Sequence, residues 1–451
     1  MSTGVIDINN ASEMIDELVW EAVFGPEGDK KRARWIIWEA AQNLSVKPSS
    51  INDLYMARGR GETTLDFTIP AMNLRGMAYD MARSIFATAG RLNARAIICE
   101  LARSEIGYTD QTPEEFSIVV LAAAIKEKWS GPVFIQGDHY QVKSEVPGMP
   151  KEGDIEEVKK LIKSSIESGI YNIDIDMSTL VDLSKRTERE QQLANIKYSV
   201  ELAQFIRTWE PKGHAVSIGG EIGHIGGKNS TLADFKAFIE GFNKSVGSDV
   251  LGVSKIAVQT GTSHGGVVLP DGTLAKVNID FSVLSEIGLS ARKDYKIGGV
   301  VQHGASTLPE SLFGQFTQNG VLEIHLATEF QNMILDHPRF PKDLKAGMYA
   351  WLDKERQKER GEGQTDEQFH YSVRKKAWGK FKRECWEINE DDKKEIRDSL
   401  SRKFEFLFKA LNVVNSDKLV EKHIKPLRLH KRPSDFGLGE SKIENVSDLS
   451  D

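Results

Sequence analysis

GPVFIQGDH, residues 131–139, is a strand-length apolar run that ends on a carboxylate and an imidazole. KIAVQTGTSH (255–264) and GGVVQH (298–303) repeat the design, each carrying a short apolar run into a histidine. GPVFIQG (131–137) is one of eight such runs. The others are LDFTIP (65–70), ARAIICE (94–100), YNIDID (171–176), HAVSIGG (214–220), KIAVQTG (255–261), KIGGVVQHG (296–304) and VLEIHLA (321–327). All are strand-length, and most are rich in β-branched residues. Between them, residues 76–92, 113–129, 154–168, 187–208, 231–246, 280–287 and 308–319 space apolar residues as helices do. Thr112-Pro113-Glu114-Glu115 supplies an N-cap hydroxyl, a proline at the first helical position and acids in the first turn. Strands alternating with helices predict a parallel sheet with helices outside. Eight units over roughly 250 residues predict a closed (β/α)8 TIM barrel. No G-x-G-x-x-G follows the first strand, which weakens the commonest nucleotide-binding form of an open sheet.

The barrel is assigned to residues 61–342, with additional N- and C-terminal helices around it. Residues 1–60 read as a helical extension, with a helix at Lys31–Ala41 that sets WIIW among charges. Residues 343–430 are long, charged and helical; Leu400, Phe404, Leu407, Phe408 and Leu411 form an apolar stripe that fits docking onto the barrel or a second subunit. A polar tail, 431–451, is expected to be flexible.

Of 451 residues, 40% are hydrophobic, enough for a large core. The net charge of −7 argues for no general nucleic-acid partner. The basic clusters Lys30-Lys31-Arg32 and Lys375–Arg383 read as solvated helix faces. No apolar run of about 18 residues and no signal-peptide pattern occurs, so no membrane partner is expected. Two cysteines, Cys99 and Cys385, cannot build a disulfide framework or a cysteine zinc site, and the default compartment is the cytoplasm.

In a barrel, His139, His264 and His303 share the face at the C-terminal ends of the strands. Three imidazoles with open positions suit zinc or another divalent metal; the bland alternative is three structural histidines. Asp138 is a general acid/base candidate or else a cap or an orienting partner for a histidine. GGEIGHIGG (219–227) reads as a loop able to close over substrate, with Glu221 either ligating metal or orienting a ligand. GGKNS does not match a phosphate loop, which excludes an ATPase of that kind. His303-Gly304-Ala305-Ser306 and Thr328 offer amides and hydroxyls for a phosphate, or are ordinary turns.

GDH (137–139), IDMS (175–178), GEIGHIGG (220–227), GTSHGG (261–266), HGAS (303–306) and EIHLATE (323–329) occur in the order found in class II, metal-dependent ketose-bisphosphate aldolases. Over roughly residues 65–335 the chain resembles that fructose- and tagatose-bisphosphate aldolase family, as a divergent member with extra terminal segments. The resemblance implies a metal held by His139, His264 and His303, with Glu221 near it. It implies Asp138 as the group that moves the proton of the hydroxyl at the cleaved bond. Asp176, Ser178, Gly265, Gly304 and Ser306 match segments that hold substrate and phosphate, and Asn73 matches the asparagine of the first strand. A phosphorylated ketose is the implied substrate, and homo-oligomers are usual in such barrels.

This chain departs from the family pattern in three places. Lys228-Asn229-Ser230 follows Gly226-Gly227, where the family often has acids. Val268 stands where H-G-x-Y-K would place a phosphate-binding lysine. His325 replaces an asparagine on the last strand and is a further substrate-binding candidate. The rival expectations are a non-catalytic aldolase-like subunit that binds sugar phosphates, and another barrel metalloenzyme such as an isomerase or hydrolase.

Overall fold

The computed structural model describes residues 8–223, 228–261, 269 and 279–439. Eight parallel strands close on themselves: β1 (Ile69–Asn73), β2 (Ile98–Ala102), β3 (Gly131–Gln141), β4 (Asn172–Asp176), β5 (Ser217–Glu221), β6 (Lys255–Val258), β7 (Val300–Gln302) and β8 (Glu323–Leu326). Each pairs with the next, and β8 returns to β1 with Glu323 opposite Ile69. All eight predicted strands are present, with helices outside, and the (β/α)8 barrel holds. Thr112 caps its helix as expected, its hydroxyl accepting from the Glu115 amide at 3.2 Å.

The N-terminal segment contributes more than helices. Besides Ile15–Phe24 and Glu27–Asn43, it supplies a ninth strand, Val46–Ser49, parallel to the first half of β3. β4 pairs only with the second half of β3, from Gln136 onward. Asn172 stitches the junction: its amide donates to the Ser49 and Ile135 carbonyls and its oxygen accepts from the Ile51 amide. Lys47-Pro48 gives no strand signal, and proline is tolerated here because the strand lies at an edge.

The barrel interior beneath the mouth is charged, whereas such barrels usually fill it with branched apolar side chains. Lys255 on β6 is fully buried, and its ammonium contacts Glu323 at 2.5 Å, Asp174 at 2.9 Å and Gln136 at 2.8 Å. Gln136 also donates to Glu100 and Glu323, and the Tyr55 hydroxyl closes the network on Glu323. Gly219 is required by this arrangement. A Cβ there would lie 2.2 Å from the Asp174 carboxylate and 2.9 Å from the Lys255 stem. Gly219 and Gly220 belong to buried strand, as the run HAVSIGG (214–220) predicts, and Glu221 ends it.

The flanks wrap the barrel. Leu400, Phe404, Leu407 and Phe408 of helix Glu390–Ala410 are buried, with Phe404 5.0 Å from Phe330 and Arg397 paired to Asp80 at 2.5 Å. The apolar stripe thus docks onto the barrel. Trp35 and Trp38 donate to the Lys431 and Leu429 carbonyls, and Glu39 accepts from the Lys431 amide at 2.8 Å. Phe436 is buried as well. Within the tail expected to be flexible, residues 431–439 are therefore held, by the Trp35 indole and Glu39 on Lys431 and by the buried Phe436. Residues 440–451 lie outside the described residues. No helix among the described residues is long and apolar enough to cross a membrane.

Candidate active site

Neighbouring residues on a regular strand face opposite sides. Asp138 and His139 escape this through a bulge: the register of β3 against β4 shifts between Gly137 and Tyr140. His139 sits at φ 43°, a region rarely entered by residues other than glycine. Gly137 makes the bulge possible, because a Cβ there would lie 2.3 Å from the Tyr140 ring. Both side chains turn into the mouth, with His139 Nε2 3.8 Å from Asp138 Oδ1.

His139 Nδ1 lies 2.9 Å from Asp176 Oδ2 and 3.1 Å from Glu221 Oε2. The His303 ring centre is 4.0 Å from that of His139 and 4.2 Å from that of His325, and its Nε2 is 4.0 Å from Glu221. His264 and Gly265 lie outside the described residues. The ligand atoms of Asp138, His139 and His303 lie within 4.8 Å of one another, as do those of His139, Asp176 and Glu221. Imidazoles among several buried carboxylates form a donor set that fits a divalent cation.

The electrostatics agree. Burial pushes the Asp138 carboxyl up, but His139 and His325 outweigh it and hold the group well below the usual carboxylate range. Burial, with the Asp176 charge beside it, pushes Glu221 up to about 8. Burial opposes charge on His139, yet Asp138 and Glu221 prevail and raise it well above its ordinary value. So much negative charge around one imidazole invites a cation.

Asp176, expected at the substrate, is in contact with His139 through Nδ1. Its carboxylate accepts from Gln141 at 2.6 Å, from the Ser178 amide at 2.9 Å and from the Ser178 hydroxyl at 2.7 Å. A carboxylate on the far nitrogen of a ligating histidine fixes its tautomer and direction. Ser178 also lines a cavity of about 480 Å3 beside the cluster, with Lys143, Thr179, Ile222, Gly223 and Lys228. Asn73 donates to Asp138 and to Glu105, each at 3.0 Å. His325 spans Asp138 Oδ1 at 3.1 Å and Glu323 Oε1 at 2.7 Å, which ties the mouth to the charged interior. Gly304 takes φ 68° in the turn after His303, Ser306 is buried, and Thr328 accepts from Arg75 at 3.2 Å.

Sequence reasoning missed Arg75, Glu105 and the Glu100–Asp174–Lys255–Glu323 network. One signal for the network was available: Gln136/Asp138, Asp174/Asp176 and Glu323/His325 repeat polar residues two apart on three strands. That spacing puts them on one side of each strand.

Residues 63–377 match the sequence profile of the family described as fructose-bisphosphate aldolase class-II, reaching past the barrel into the C-terminal segment. The D-tagatose-1,6-bisphosphate aldolase subunit GatY of Klebsiella oxytoca is 24% identical over 277 residues, which cover 59% of this chain and 78% of that protein. Among solved structures, a probable tagatose 6 phosphate kinase from Sinorhizobium meliloti 1021 superposes with TM-score 0.51 at 14% identity, over 79% of this chain and 99% of that one. A glycerol complex of the fructuronate-tagaturonate epimerase UxaE from Cohnella laeviribosi gives TM-score 0.50 at 13% identity, over 88% and 86%. At these identities the structural likeness is one of fold.

Proposed function

The chain belongs to the class-II fructose-bisphosphate aldolase family, and we propose that it cleaves and forms a C–C bond in a phosphorylated ketose with the help of a divalent metal. The observation that supports this reading is the bulge that turns Asp138 and His139 together toward His303 and His325. His139 and His303, with His264 and with Glu221 beside them, would hold the ion. A divalent ion so held supplies Lewis-acid stabilisation of the negative charge that an aldol cleavage leaves as an enediolate.

This chain's own residues do the rest. Asp138 takes the proton of the substrate hydroxyl; the new carbonyl forms as the neighbouring C–C bond breaks, and that bond's electron pair passes to the ketone half. Asn73 and His325 hold the Asp138 carboxylate from two sides, so it reaches the substrate without rearrangement. Asp176 keeps His139 aimed. Gly304 and Ser306 offer a phosphate the turn after β7. Zinc is the ion expected first from the histidine-rich set.

The second reading, a sugar-phosphate-binding protein without turnover, is favoured by Lys228-Asn229-Ser230, which leaves no acid just after Gly227. One experiment separates the two. Metal content is measured on the purified protein, and cleavage of fructose and tagatose bisphosphates is followed with and without chelator. Cleavage that stops with chelator and falls by roughly 10²–10⁴-fold in Asp138→Ala supports the aldolase. Sugar-phosphate binding without turnover in metal-loaded protein overturns it.

A further inference from the structure

The mouth carries a second group of charges beside the metal cluster. Arg75 follows β1, and its Nε donates to Glu105 Oε1 at 2.5 Å while Nη1 donates to Thr328 at 3.2 Å. Its Nη2 makes no hydrogen bond among the described residues. The other oxygen of Glu105 accepts from Asn73 at 3.0 Å and from the Ala102 amide at 2.9 Å. Glu105 is therefore fully engaged, and through Asn73 this group adjoins Asp138.

The C-terminal segment brings a second cation to the same place. The turn Arg374–Ala377 is pinned on both sides. The Trp378 ring occupies the space where a Gly76 side chain would begin, 2.3 Å from its ideal Cβ, and the Gly379 amide donates to the Tyr108 carbonyl at 2.8 Å. The neighbouring cations are neutralised: Arg374 by Asp336 at 3.0 Å, Lys382 by Glu115 at 2.5 Å, and Lys376 by Glu359. Within the Lys375–Arg383 stretch, Lys380 and Arg383 are exposed, as a solvated face requires, while Lys382 is drawn into its ion pair.

Lys375 differs. Among the described residues it has no ion pair and no hydrogen bond, and its ammonium lies 5.9 Å from the Tyr108 ring centre. Tyr108 links it to Arg75: the Tyr108 hydroxyl donates to Glu105 Oε1 at 3.4 Å, the oxygen that Arg75 Nε contacts at 2.5 Å. Glu105 is already bound to Arg75 and Asn73, and Glu359 to Lys376. Arg75 and Lys375 thus gather around one carboxylate, Glu105, which leaves a positive charge for an added oxyanion to meet.

We propose that Arg75 and Lys375 form an oxyanion subsite that grips a phosphate or carboxylate of the substrate next to Asp138. The subsite deepens the aldolase reading and rests on it for the identity of the substrate. A planar guanidinium with an open edge and a compact ammonium suit a tetrahedral or planar oxyanion.

The test uses the full-length, metal-loaded protein as wild type, Lys375→Met and Lys375→Arg. Inorganic phosphate and glycolate are titrated calorimetrically, and thermal midpoints are recorded with and without each anion. Lys375→Met is expected to weaken phosphate binding by about tenfold or more, while Lys375→Arg stays within about threefold. Lys375→Met should also raise the midpoint in anion-free buffer, since it removes an unpaired cation, and should lose the midpoint increase that phosphate gives the wild type. A larger loss for phosphate than for glycolate assigns a phosphate; the reverse assigns a carboxylate. Equal affinities in wild type and Lys375→Met for both anions overturn the subsite. Lys375-dependent binding without cleavage of any ketose phosphate leaves the subsite standing and removes the aldolase reading instead.

Discussion

Lys255 shows how far a single charge can govern this molecule. It lies in the apolar run KIAV, where a lysine reads as an interruption of the pattern. Only barrel closure reveals its purpose, because its partners Gln136, Asp174 and Glu323 come from β3, β4 and β8. Replacing it with Met would leave two buried carboxylates facing each other, and removal of one partner from a buried pair costs roughly 3–5 kcal/mol. Lys255→Met is expected to lower urea stability by about that amount; a midpoint within error of wild type would show that the carboxylates are neutral without it. Asp138, His139 and His303 were legible for a different reason. Strand-end position can be read along one chain segment at a time, whereas ion pairing between strands cannot. Arg75 was illegible because a single arginine after a strand has no distinguishing pattern.

Among the elements, the strands were legible because each is a short apolar run punctuated by glycine or polar residues. The strand Val46–Ser49 and the turn Arg374–Ala377 were not, since both take their conformation from what they touch. Gly76 specifies that turn as much as the turn's own residues do: any side chain there meets the Trp378 ring. Gly76→Val is expected to detach the segment, expose Trp378 and open new tryptic sites at Arg374, Lys375 and Lys376. An unchanged digestion pattern would count against this docking. The segment around Lys431 gives a pH signature. Burial lowers its ammonium to about 8, from an ordinary 10.5. Between those values the unfolded chain binds the proton and the native chain has lost it, so stability rises with pH across that window. The increase in urea midpoint from pH 8 to pH 10 should be smaller in Lys431→Met. Equal slopes would mean that the tail leaves Lys431 in solvent.

The whole molecule is a barrel enclosed by both ends of its own chain. The helix Glu27–Asn43 binds residues 429–431, and the helix Glu390–Ala410 covers the barrel helix Ala78–Leu92. Lys375 comes from far along the chain, which explains why motifs within residues 65–335 point to the histidine–carboxylate cluster but not to Lys375. A shell that shares buried contacts with the barrel throughout cannot come off first without exposing apolar surface on both. Chains of this length often unfold in steps when their parts are independent. The tryptophans offer a direct check, because six of the eight — 20, 35, 38, 351, 378 and 386 — lie in the flanks and only 129 and 209 in the barrel. Fluorescence therefore follows the shell, while far-UV circular dichroism follows all the helices and strands. In urea the two signals are expected to trace one transition with the same midpoint and slope. A fluorescence change that precedes the dichroism change would mean that the flanks are a separate cooperative unit, and would separate the Lys375 turn from the stability of the barrel.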